Sequence, residues 1–117
     1  MSKLYYVCIV ASQRNGTLYI GVTNDLLRRV WEHREGHIPG FTSEHNVKHL
    51  VHYEMFEDVH AAIHREKRLK KSRRQWKIDL VQASNVEWHD LYEDMIAPAG
   101  PPDWLIAANA SAVANGK

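Results

Sequence analysis

The first 22 residues carry the pattern of a β-hairpin, and that opening constrains how the rest of the chain can be arranged. Leu4 to Ala11 is a run of apolar, β-branched and aromatic residues, a composition that suits a buried, pleated strand. The run ends at Ser12-Gln13-Arg14-Asn15-Gly16, where Asn-Gly is the strongest short signal for a reversal between strands. Thr17 to Val22 then resumes the strand pattern.

Downstream, Thr23-Asn24-Asp25 offers N-cap chemistry for a helix over Leu26 to Arg34 that stops near Gly36. His37 to Asn46 contains Pro39 and Gly40 and reads as a loop, and Val47 to Phe56 reads as a third strand. Asp58 can cap a helix from Val59 that breaks near Ser72, and a further helix covers about Gln75 to Ala83. Asn85 to Tyr92 is polar and aromatic and takes no assignment from its pattern. After Met95 the composition shifts to Ala, Pro, Gly, Ser and Asn with almost no charge. Residues 1–95 therefore read as one domain and 96–117 as a flexible or loosely docked tail.

A length of 117 residues suffices for one domain with one core. No apolar run is long enough to cross a bilayer, and the opening run is too short for a signal peptide. The single cysteine excludes an internal disulfide, which suits a reducing cytoplasm. Net charge is only +1, but eight of the fifteen lysines and arginines lie between Arg65 and Lys77. Such a block suits a polyanion such as nucleic acid; a solvated helix face is the competing reading.

Two helices carry polar groups where apolar ones are expected. At about 100° per residue, Leu26, Arg29, Val30 and His33 share one face, which aims a cation and an imidazole at the sheet. In the helix beginning at Val59, Glu66 falls in the middle of the stripe formed by Val59, Ala62, Ile63 and Leu69. A buried carboxylate is costly unless paired, protonated or metal-bound, so a structural Arg29–Glu66 pair competes with a functional role. His60 and His64 have i, i+4 spacing, but neither a cysteine pair nor an HExxH pattern supports a zinc site. Cys8 lies in mid-strand and reads as core rather than nucleophile.

Taken together, TLYIGVTNDLLRRVWEH, the later REKRLKKSRRQWK and Asn85-Val86-Glu87-Trp88 resemble the small stand-alone bacterial branch of the GIY-YIG nuclease superfamily. The resemblance implies an α+β fold: a small three-stranded antiparallel sheet flanked by helices. It also implies a divalent-metal-dependent DNA endonuclease, using Mg2+ or Mn2+, in repair or processing of DNA. Tyr19 and Gly21 resemble the tyrosine and glycine of the YIG half, Arg29 the phosphate-stabilising arginine, and His33 a histidine of several branches. Glu66 resembles the metal-binding carboxylate and Asn85 an asparagine near the domain end. Lys67, Lys70, Lys71, Arg73 and Arg74 are the candidate DNA contacts. The chain departs from the pattern at one position: the slot of the first tyrosine, the general base proposed for the superfamily, holds Cys8. Tyr6, two residues away on the same strand face, is the candidate replacement. A nucleic-acid-binding module with a degenerate site is the second reading.

Overall fold

The computed structural model describes residues 3–35 and 47–96; the loop expected over His37 to Asn46 and the tail beyond Ile96 lie outside them. Strands β1 (Tyr5–Ala11), β2 (Leu18–Thr23) and β3 (His49–Phe56) form one antiparallel sheet in the order β2-β1-β3. Helix α1 (Leu26–Arg34) follows β2, and α2 (Val59–Lys71), α3 (Arg74–Ser84) and α4 (Leu91–Ile96) follow β3. This is the expected three-stranded α+β arrangement.

β1 is central because both of its faces are apolar. Val7 to Ala11 are all fully buried, the mark of a strand covered on both sides. Val7, Ile9 and Ala11 pack with Ile20, Val51, Ala62, Leu69, Val81 and Trp88, under α2 and α3. Cys8 and Val10 pack with Leu26, Val30, Val47, Leu50 and Tyr92, under α1 and α4. Among the described residues β2 is thus an edge strand, with β1 on one side only.

The β1–β2 turn is wider than a two-residue Asn-Gly reversal. Ser12 N donates to Thr17 O at 3.0 Å and Gly16 N to Gln13 O at 2.9 Å, which closes a four-residue loop. Asn15 takes the left-handed conformation (φ 57°), and a Cβ on Gly16 would stand 2.3 Å from Ser12 Oγ. Arg74 of α3 clamps the loop, donating to the carbonyls of Asn15 and Gly16 at 2.6 Å each.

Helix ends follow the local chemistry. Asp25 accepts from Arg28 N and Asp58 from Ala61 N, so each caps the helix that begins beside it. Ser72 ends α2, and its hydroxyl donates to Leu69 O at 2.6 Å. The segment without a sequence assignment is a turn followed by α4. Asp90 organises it, accepting from Leu50 N at 3.2 Å and Tyr92 N at 3.1 Å while pairing with Arg34 of α1. Arg34 also lies over the Tyr92 ring, 4.8 Å from its centroid.

The pairing of β1 with β3 shifts by one residue after Ile9↔His52, because Val10 pairs with Leu50 and Val51 is the extra residue. Buried Asn85 secures this irregularity. Its Nδ2 donates to Val51 O at 3.1 Å and His89 O at 2.8 Å, and its Oδ1 accepts from His89 N at 2.9 Å. Asn85→Ala strands those backbone groups and is expected to lower stability by about 1–3 kcal/mol in urea unfolding. An unchanged midpoint would show that the bulge needs no such support.

Candidate active site along the edge of β2

The site is set by the pleat of β1 and β2. Cys8 stands opposite Gly21 on β2 and opposite Tyr53 on β3, giving a row Gly21–Cys8–Tyr53 across the sheet face that α1 covers. Tyr19, two residues before Gly21, projects from that same face. Its ring folds back over the glycine: a Cβ on Gly21 would lie only 3.2 Å from Tyr19 Cε1. Gly21 therefore leaves the space in which the Tyr19 ring settles.

On its other side the Tyr19 ring meets His33, with centroids 4.9 Å apart and planes tilted by 58°. Leu26, Val30 and His33 are the buried residues of α1, and Arg29 is half-buried beside them, as the helical spacing predicts. His33 is only 2% exposed, and neither ring nitrogen has a hydrogen-bond partner among the described residues. Burial, and then the charge of Arg29, push its pKa down to about 4, so the ring is neutral near pH 7. It thus holds one donor and one acceptor in reserve.

The Arg29–Glu66 pair considered from the sequence does not form. Arg29 Nη1 contacts Glu32 Oε1 at 3.9 Å within its own helix, and its buried Nε has no partner among the described residues. Glu66 instead pairs with Lys70 at 3.2 Å. Glu66 belongs to α2, the helix on the opposite face of the sheet, yet its charge still reaches Cys8. There it raises the thiol pKa while Arg29 lowers it. The dominant cause is burial, which pushes Cys8 up to about 11 and leaves a protonated, inert thiol at neutral pH. Tyr6 and Tyr53, both half-buried, meet edge to face with ring centroids 6.5 Å apart. Tyr53 carries no signal along the chain, because only strand register places it beside Cys8.

The two faces meet at the open edge of β2. A cavity of about 540 Å³ runs there, lined by Thr17, Leu18, Tyr19, Ile20, Lys70, Arg74 and Lys77. Tyr19 belongs both to this groove and to the His33 contact, and Lys70 belongs both to the groove and to the Glu66 ion pair. Lys77 was not among the residues expected there. The basic run is divided between surfaces: Arg68 and Arg73 line a second cavity with Ser72 and Trp76, and exposed Lys67 and Lys71 line neither. Arg74 reaches the groove while part of its guanidinium is held by the hairpin loop. Asn85 is not brought to this group; it lies across β1 at β3, with its amide engaged by backbone.

Among the described residues, no three His, Cys, Asp or Glu side chains converge as a metal-holding group, and His60 and His64 are exposed. A carboxylate whose partner among the described residues is the exposed Lys70 fits a hard divalent cation that keeps most of its ligands as water. Among the described residues no helix is long and apolar enough to cross a membrane.

Strand β2 thus carries Tyr-x-Gly against a helix that buries His33 and half-buries Arg29, and with the family match this is a nuclease-type domain with nucleic acid as its general substrate. The family model described as the GIY-YIG catalytic domain matches residues 4–79, and the chain belongs to the GIY-YIG family. It is 37% identical over 82 residues to a UPF0213 protein of Haloquadratum walsbyi, covering 70% of this chain and 91% of that protein. It is 35% identical over 78 residues to a UPF0213 protein of Staphylococcus aureus, covering 67% and 94% respectively. A solution NMR structure of a UPF0213 protein from Bacillus halodurans shares 26% identity and covers 84% of this chain and 99% of its own, with a TM-score of 0.46.

The depressed His33 pKa makes a signed prediction. The unfolded chain binds a proton at the ordinary value of 6.5 and the folded one only near 4. Stability therefore falls as pH drops below 6.5, levels off near 4, and the loss reaches at most about 3 kcal/mol. Urea unfolding of the native chain and of His33→Phe at pH 7, 5.5 and 4.5 isolates this contribution, since other groups are common to both. Parallel losses in the two proteins would mean that His33 is not held neutral.

Proposed function

We propose that this chain is a divalent-metal-dependent endonuclease that hydrolyses DNA phosphodiester bonds, with residues 1–95 as the nuclease domain and repair or processing of DNA in the cytoplasm as its setting. The observation that carries the reading is a pair of buried polar groups unpartnered among the described residues, Arg29 Nε and the His33 ring, the latter packed on Tyr19, which also lines the cationic groove. Buried polar atoms without partners are rare in folded proteins, and a ligand is one reason to keep them.

Each residue then has a task. Lys70 and Lys77, with Arg74 behind them, receive the phosphates of a strand lying along β2, without reading its sequence. Arg29 offers its donors to the attacked phosphate as charge builds on the oxygens. Tyr19 donates a hydrogen bond to the reacting group, its ring fixed between Gly21 and His33. His33, neutral near pH 7, accepts or returns a proton. Glu66 would hold the metal once displaced from Lys70. Bound Mg2+ or Mn2+ supplies charge neutralisation at the phosphate and makes water easier to deprotonate.

A second reading, a nucleic-acid-binding module without catalysis, is favoured by Cys8. Its thiol, fully buried and pushed up to about 11, cannot replace a phenol as base. Tyr6, paired edge-on with Tyr53, is the remaining phenol on the strand that could take that place.

One experiment addresses both readings: cleavage of single-stranded, duplex and branched DNA with Mg2+ or Mn2+, by the native chain, Glu66→Gln and Cys8→Tyr. Cutting is expected from the native chain only with metal, and Glu66→Gln should bind DNA without cutting it. A folded Cys8→Tyr should cut faster, since a positioned acid–base group contributes roughly 100- to 10,000-fold. Overpacking by an added ring in a fully buried site costs about 1–3 kcal/mol, so the unfolding midpoint of the variant is measured alongside. Undiminished cutting by Glu66→Gln would remove Glu66 from the mechanism. Inert native and folded Cys8→Tyr proteins that both bind DNA would establish the binding module instead.

A further inference from the structure

The second cavity lies apart from the groove at β2. It measures about 330 Å³ and is lined by Arg68, Ser72, Arg73 and Trp76. Positions 68 and 70 differ by about 200° on a helix, so α2 turns Arg68 away from the side that presents Lys70. Trp76 is 44% exposed, an unfavourable place for a large apolar ring unless something covers it.

The ring is held in position. Arg65 lies over Trp76 with its guanidinium carbon 5.5 Å from the centroid. Arg65 is itself fixed by a two-point contact with Glu54, Nε to Oε1 at 2.8 Å and Nη2 to Oε2 at 2.9 Å. His52 Nε2 also lies 2.9 Å from Glu54 Oε2, so the carboxylate is anchored from the strand side. One part of the ring thus faces a clamped cation and another faces the cavity, which Arg68 and Arg73 flank with positive charge.

Resting on the nuclease reading above, we propose that this cavity holds an unpaired nucleobase. The base stacks on Trp76 while Arg68 and Arg73 meet the phosphates on either side of it. An aromatic platform with flanking cations is the chemistry that binds single strands without regard to sequence, since every base presents a π-face. A duplex keeps its bases stacked on one another and has none to offer, so the cavity gives the protein a preference for unpaired DNA.

The test uses the full chain in EDTA, where no cutting occurs, with an oligo-dT strand, the same strand abasic at every position, and a duplex. Trp76→Ala should weaken oligo-dT binding by about 5- to 150-fold and duplex binding by less than about twofold. The native chain should bind the abasic strand about as weakly as Trp76→Ala binds the intact one. Trp76→Phe keeps a stacking face, so its affinity should stay within about threefold of native, while the quenching of tryptophan emission on oligo-dT binding shrinks to what Trp31, Trp88 and Trp104 contribute. Equal losses of Trp76→Ala on strand and duplex, or native binding that ignores the abasic sites, would overturn the proposal and leave the nuclease reading intact. A native chain that binds none of the three would overturn both.

Discussion

Burial of β1 on both faces is the constraint on which the rest of this small protein depends. Five consecutive side chains from Val7 to Ala11 are withdrawn from water, odd positions into one cluster and even positions into the other. A one-residue slip of this strand would exchange the two sets and bring Cys8 to the α2 side. Because its register also sets β2 and β3, the position of Tyr19 relative to His33 is a consequence of core packing. The site inherits its precision from the sheet.

Charged groups then fasten the helices to that sheet at separate points. Asp90 joins the end of α1, the start of β3 and the start of α4, and Glu54 joins β3 to Arg65 of α2. The Arg65 guanidinium beside Glu54 holds its carboxyl below the usual range, so this contact weakens as acid protonates it. Arg74 ties α3 to the hairpin loop, Asn85 ties the segment after α3 to the bulge of β3, and Arg29 and His33 remain without such ties at buried nitrogens. Trp88 Nε1 and Tyr92 OH are likewise buried without a partner among the described residues, so what marks the candidate site is the packing of His33 against Tyr19 at the β2 edge.

Much of this was legible along the chain. Alternation and capping chemistry placed α1 at its observed bounds, and Ser72 marked the break between α2 and α3. The 3.6-residue period put Arg29 and His33 beside Leu26 and Val30, because helix faces are fixed by nearest neighbours in sequence. Features that depend on distant contacts were not legible. Asn85 has a different character in the fold because Val51 and His89 surround it, and the Arg34–Asp90 pair spans positions 34 and 90. The basic run read as one patch, yet helix rotation and the turn at Ser72 distribute its cations over several surfaces. Adjacency in sequence is a poor guide to adjacency in charge.

The open side of β2 has a consequence for how copies of the protein coexist. An unpaired strand edge exposes backbone donors and acceptors that another β-strand can adopt, the usual beginning of edge-to-edge aggregation. Here Lys70, Arg74 and Lys77 stand along the groove bordering that edge. A second copy approaching edge-on would bring its own three cations against these, and like charges repel. Cations bordering a strand edge thus oppose edge-to-edge pairing of like copies, a charge device placed where backbone donors and acceptors lie open among the described residues.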